Sequence, residues 1–223
     1  MRKPVASRTK LLGVKGDALK QATEVNLATS RGVSPTRPAI ERYTGVLYDA
    51  LDPSSLTKRD RGRFDRQVVI LSGLWGAVLP GDLIPDYKLK MGATLAGVGR
   101  LSSWWREPLS DAVQPLVAGR VVWNLLPNEH GASLDPLLRG PAPQRVITVS
   151  FLDEVERAGG RTLVRVNHWN KLLKGALVRH VIARQLVDVA GLEEFEHPLG
   201  YRFDPTLTTT DDRTAGVMLV KSL

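Results

Sequence analysis

The sequence predicts a mixed α/β (α+β) fold: one domain with a mixed central sheet flanked by helices. Three observations carry this. Short β-branched runs alternate along the chain with stretches of helical spacing. Two of those runs flank a glycine turn, as the arms of a hairpin would. At 223 residues and 43% hydrophobic, the chain can bury a sizeable core.

Residues 1–10 are polar and basic and read as a flexible N-terminal arm ahead of a domain over 11–223. From Asp17 to Thr29 the positions Ala18, Leu19, Ala22, Val25 and Leu27 follow helical spacing, with Asp17 as N-cap. Gly32, Pro35 and Pro38 make Arg31 to Pro38 a loop. Ala39 to Leu51 is a second helix, interrupted or shortened at Gly45 and stopped by Asp52-Pro53. Thr57 to Arg66 alternates its charges without a broad apolar stripe and reads as a solvated helix or loop. Gln67 to Leu71, Val121 to Leu125, Val146 to Phe151 and Thr162 to Val166 are strands, the last two an antiparallel hairpin across 156–160. Trp104-Trp105-Arg106 reads as a helix packed on the sheet. Lys171 to Val189 is the strongest helix. Phe195 to Phe203 and Val217 to Val220 supply short late strands.

Composition narrows the function. With no cysteine there is no disulfide framework, thiolate metal site or cysteine nucleophile. No apolar run approaches the ~18 residues of a membrane span, and no signal core follows the basic start, so a soluble cytoplasmic protein is expected. The formal charge is +8 and the pI is near 10.0, the electrostatic footprint of a nucleic-acid binder. Nine basic residues against three acidic ones in 1–42 place most of that surplus at the N-terminal end.

The most unusual segment runs from Leu71 to Gly92, a strand opening into a loop with Ser72, Gly73, Gly76, Gly81, Tyr87, Lys88 and Lys90. Two readings stand: glycine turns required by packing beside solvated lysines, or an ordered functional loop. The phosphate-loop pattern is absent.

These residues resemble the signature of the YaaA family of peroxide stress proteins, in which a run like L-S-G-L-[Y/W]-G precedes a proline–aspartate pair and Y-[R/K]-L-x-M-G. The resemblance extends through Arg42 to Leu51, Asn124-Leu125 with Glu129, Asn170-Lys171 with Lys174-Gly175, and Gly200 to Asp204. It implies a cytoplasmic oxidative-stress protein with an unusual α/β fold. It also implies sequence-independent DNA binding through a basic cleft and a helix-hairpin-helix-like element, and a role in lowering unincorporated iron. Two features depart from the family. The usual opening strand and its loop find only a poor match in Val5 to Lys10, so the chain is expected to be a shortened relative or to start downstream, leaving a sheet edge or core gap. Lys90 stands where relatives often carry glutamate.

Leu12 to Ala22 has the glycine-bracketed form of such a hairpin. Free N–H groups at a helix start would hold a phosphate, with Lys15, Gly16 and Lys20 beside it, although Asp17 opposes an anion there. An ordinary helix start fits the same residues. Lys171 and Lys174 share one face at the start of a helix, where a cation is misplaced unless an anion lies opposite or the side chains extend to water. Trp169 fits either core packing or base stacking, and His168 a satisfied hydrogen bond. Glu129 beside His130 reads as structural capping rather than as an acid–base or metal pair. The four histidines show no ligand spacing, and no metal or cofactor is expected. The DNA- or phosphate-binding set is therefore Lys15, Gly16, Lys20, Lys88, Lys90, Lys171 and Lys174. The candidate cleft is Tyr43, Ser72, Gly73, Tyr87, Asn124, Glu129 and Asn170. The alternative is an enzyme acting on a nucleotide, nucleobase or other small anion in that cleft.

Overall fold

A computed structural model describes residues 4–135, 141–166 and 170–223; the readings of His168 and Trp169 lie outside the described residues. Along the chain run α1 (Val5–Leu12), α2 (Gly16–Ser30), β1 (Thr36–Pro38), α3 (Ala39–Arg42), α4 (Val46–Leu51) and α5 (Lys58–Gln67). Then come β2 (Ile70–Ser72), β3 (Gly76–Val78), β4 (Leu83–Pro85), β5 (Thr94–Leu95), β6 (Gly99–Arg100), α6 (Leu101–Trp104), α7 (Arg106–Val117), β7 (Val121–Asn124) and α8 (Asn128–Gly131). The chain ends with β8 (Arg145–Arg157), β9 (Gly160–Arg165), α9 (Asn170–Arg184), β10 (Arg202–Phe203), β11 (Thr209–Thr210) and β12 (Thr214–Lys221). These elements gather into two compact units, each woven from three stretches: Met1–Tyr43, Asp65–Leu116 and Leu126–Gly140 in the first, and Thr44–Phe64, Val117–Leu125 and Pro141–Leu223 in the second.

The second unit holds the mixed sheet of the α/β class. β8 is its axis, parallel to β12 on one side (Leu219 opposite Phe151). On the other side its first residues run parallel to β7 (Val122 opposite Val146), and its last run antiparallel to β9 (Asp153 opposite Val164). β10 and β11 add antiparallel pairs to β12. Side chains alternate across a strand. Ile147 and Phe151 of β8, with Ala215, Val217 and Leu219 of β12, therefore face one core, closed by Leu173 and Leu177 of α9, Leu192 and Tyr201. Arg63 of α5 is buried with its guanidinium 2.6 Å from Asp60 and a longer bond to the Ile182 carbonyl. Thr57 caps that helix by accepting from the Asp60 N–H at 3.1 Å.

In the first unit β2 and β3 form a hairpin, β4 pairs with β1, and β5 with β6. Leu12, Leu19 and Ala22 make a small core between α1 and α2.

The class, the β8–β9 hairpin and most helices lie where the sequence puts them; several details differ, and of the strand expected over Phe195 to Phe203 only Arg202–Phe203 forms, as β10. Val5–Leu12 is a helix rather than part of a flexible arm, anchored through fully buried Leu12. Thr36–Pro38 is a strand, because the β4 backbone opposite satisfies its edge. Helix replaces strand at Gln67, so the strand begins only at Ile70. The helix expected to reach Val189 ends at Arg184, where Gln185 turns to φ 55°. β12 is a long central strand of eight residues rather than a short late piece. Its Ala215 and Gly216 have weak β propensity, which concealed it, yet β8 pairs along its whole length.

Candidate functional site

The first unit assembles its candidate residues around α2. α1 ends on Gly13 at φ 68°, whose N–H donates to the Thr9 carbonyl at 2.8 Å. Val14 and Lys15 follow, Gly16 takes φ 57°, and α2 starts there. The N-cap is thus Lys15, not Asp17. Asp17 lies inside the first turn, where its carboxylate complements the helix dipole. Lys15 makes no side-chain cap bond, and it is exposed, as are Gly16 and Lys20.

Side chains of α2 then grip the loop after β4. Thr29 Oγ1 donates to the Asp86 carbonyl at 2.6 Å. Asn26 bonds Lys88 twice, donating to its carbonyl at 2.9 Å and accepting from its N–H at 2.8 Å. The Lys88 backbone is held while its side chain stays exposed. Two residues on, the Lys90 ammonium lies over Gly13, so close that a Cβ there would meet Nζ at 2.2 Å. A cation at the end of α1 is favourably placed against the helix dipole. Asn26 and Thr29 were missed in the sequence; the available signal was two polar side chains three apart on one helix face.

The same loop closes a chain of hydroxyls. Ser72 Oγ, buried at the end of β2, accepts the N–H groups of Leu74 (3.2 Å) and Trp75 (3.0 Å). A hydroxyl has two acceptor sites and one hydrogen, so the Ser72 hydrogen goes to the Tyr87 Oη, 2.6 Å away. Tyr87 Oη is 3.0 Å from Tyr43 Oη. The Tyr87 ring meets Tyr43 and Trp75 edge-on at 6.5 and 6.3 Å between centroids. Glycine is required at 73, because a Cβ would fall 2.9 Å from the Leu89 carbonyl oxygen. Trp105, another residue the sequence did not single out for this loop, donates from Nε1 to the Gly73 carbonyl at 3.0 Å. It packs on the β2–β3 hairpin, whereas Trp104 is half-exposed.

Glu129 sits with its carboxylate against Gly92, 2.7 Å from where a Cβ would be. The neighbouring His130 does not cap through Nδ1, which is buried and finds no hydrogen-bond partner among the described residues. Burial pushes its pKa below 6.5, partly offset by the Glu129 charge. The sign follows: as pH falls through 6.5 the unfolded chain takes up this proton first, so stability is lost on the acid side. Chemical denaturation above and below 6.5 should show a smaller acid loss for His130→Gln than for the parent. Equal losses would remove His130 from the account.

The remaining candidates belong to the second unit. Asn124 ends β7 opposite Thr148. Asn170 Nδ2 donates back to the Val166 carbonyl at 3.3 Å at the start of α9. Lys171 is exposed. Lys174 is half-buried and donates to the Leu125 carbonyl at 2.9 Å, and burial lowers its pKa. The two lysines three apart therefore differ: Lys171 faces water, while Lys174 is tied to the end of a strand. Tyr43 and Tyr87 are brought into contact, Lys88 follows in the same loop, and Lys171 and Lys174 stand in the other unit.

Among the described residues no three His, Asp or Glu side chains gather in a way that could hold a metal ion, and no helix is long and apolar enough to cross a membrane. The chain is similar to UPF0246 protein SCO2297 of Streptomyces coelicolor, 36% identical over 194 residues that cover 86% of this chain and 69% of that one. It is similar also to UPF0246 protein SPO0106 of Ruegeria pomeroyi, 30% identical over 91% of this chain and 78% of the relative. UPF0246 protein RD1_0358 of Roseobacter denitrificans is 30% identical over 93% of this chain and 80% of its own length. Residues 3–207 match the family profile described as peroxide stress protein YaaA, and the chain belongs to that family.

Proposed function

We propose that this protein serves its family's peroxide-stress role in the cytoplasm by binding DNA without regard to sequence, and that it helps to limit unincorporated iron. The observation that carries the DNA reading is the α1–α2 connection. Two helices meet there through Gly13, Val14 and Lys15, and the start of α2 has no side-chain cap. The Asn26 clamp sets Lys88 beside α2, and Lys90 reaches Gly13. We read this connection as a helix-hairpin-helix-like element. Backbone N–H groups and the positive end of α2 hold a phosphate oxygen, and the lysines add charge without reading bases. The net charge of +8 draws the polyanion in. The iron component rests on the family resemblance.

Fluorescence anisotropy of labelled duplex tests the DNA reading. The logarithm of affinity should fall linearly with the logarithm of salt, by about 0.9 per phosphate neutralised, between ~50 and ~200 mM. Affinities should match across unrelated sequences. Undetectable or salt-insensitive binding overturns the reading.

A further inference from the structure

The chain has no cysteine, the side chain that ordinarily takes oxidative damage first. Of the methionines, Met91 is buried and Met218 half-buried. Tryptophan and tyrosine can also surrender an electron at the surface, and in the first unit three of them stand in contact. Trp75 is 37% exposed and lies in the turn between β2 and β3. Its ring meets Tyr87 edge-on at 6.3 Å, and Tyr87 meets Tyr43 in the same manner at 6.5 Å. A second line, of hydroxyls, coincides with the first. Ser72 Oγ to Tyr87 Oη is 2.6 Å, and Tyr87 Oη to Tyr43 Oη is 3.0 Å. The Trp75 backbone N–H donates to Ser72 Oγ, which fixes the Trp75 main chain beside the inner hydroxyl. An electron path and a proton path thus share the same residues.

We propose that Trp75, Tyr87 and Tyr43 form a redox relay that reduces one-electron oxidants derived from peroxide, carbonate radical anion being the representative class. The oxidant takes one electron from the Trp75 indole and leaves as carbonate, while the indole Nε1 proton passes to water. The indolyl radical then takes one electron from Tyr87 and one proton from water, which restores Trp75. In the same step the Tyr87 phenolic proton moves to Tyr43 Oη as Tyr43 releases its own proton to water. The net result is one electron to the oxidant, one proton to water and a phenoxyl radical on Tyr87, to which Ser72 continues to donate its hydrogen bond. A low-molecular-weight thiol returns the phenoxyl to phenol by giving one electron and one proton, and itself becomes a thiyl radical. The exposed Lys88 next in the chain and the positive surplus of the protein favour the approach of an anionic oxidant. The relay involves no nucleic acid, so it stands or falls independently of DNA binding.

Pulse radiolysis of the purified protein without DNA tests it, with azide radicals as the probe that oxidises indole. The indolyl absorption should convert to phenoxyl absorption in a phase whose rate is independent of protein concentration. Tyr87→Phe should abolish that phase. Trp75→Phe, a change at a solvent-open position that leaves the core intact, should abolish it as well. Tyr48→Phe and Trp104→Phe should leave it at parental amplitude. Survival of the phase in either Tyr87→Phe or Trp75→Phe, or its loss in Tyr48→Phe or Trp104→Phe, overturns the relay.

Discussion

Gly175→Ala is expected to lower the stability of this protein by about 3 kcal/mol, the upper end of the usual overpacking cost, although alanine is the better helix former by about 1 kcal/mol. The reason is the packing of α9 against α4. A Cβ at 175 would stand 2.1 Å from the Leu47 carbonyl oxygen and 3.0 Å from both the Ala50 Cβ and the Leu51 N. Two of these three atoms are backbone within or at the end of a helix, so no rotamer change clears them. α9 cannot retreat either, because Leu173 and Leu177 on either side of Gly175 are fully buried in the sheet core. α4 is tied to α9 as well: Arg179 of α9 donates to the carbonyls of Leu51 and Asp52, at the end of α4, at 3.1 and 3.0 Å. For a chain of this length about 3 kcal/mol corresponds to a melting midpoint lower by roughly 6–12 °C. Thermal unfolding followed by circular dichroism measures it. A midpoint within about a degree of the parent's would mean that the two helices do not approach as described.

That contact shows where the sequence stops being informative. Periodicity exposes α9 as a helix and places Leu173 and Leu177 on its buried face. Nothing in the linear pattern says that a short helix more than a hundred residues earlier presses on the glycine between them. The same division holds at the candidate site. The loop from Leu71 to Gly92 stands out by its glycines, and Gly73 and Tyr87 are legible as special residues. Their partners are not: the Tyr43 and Ser72 hydroxyls are 44 and 15 positions from Tyr87, and only the folded backbone brings them together. α1 was hidden for a different reason. Its apolar residues fall at the two ends around a polar middle, and its helical state depends on Leu12 packing with Leu19 and Ala22 of α2. β8 and β9 were legible because their pairing is local, and local pairing leaves its turn in the sequence.

Charge reversal at Lys15 and Lys88 together is expected to weaken DNA binding uniformly across sequences and to make its salt dependence shallower by about 2 in logarithmic slope, one unit for each phosphate contact removed. The choice of these two follows from their surroundings. Both side chains are exposed, and the Lys88 backbone is fixed by Asn26, so its glutamate variant keeps the loop in place. Glutamate at 15 adds an acid at the start of α2, where the helix dipole favours it. Folding should therefore be unchanged within about 0.5 kcal/mol, and a loss of binding cannot be mistaken for unfolding. Lys90 does not offer so clean a test, because its ammonium lies at the end of α1 and an acid there would oppose the helix dipole. Anisotropy titrations of parent and Lys15→Glu/Lys88→Glu protein at several salt concentrations give both quantities. Identical slopes would show that phosphate does not lie at the α1–α2 connection, whatever else on the molecule attracts DNA.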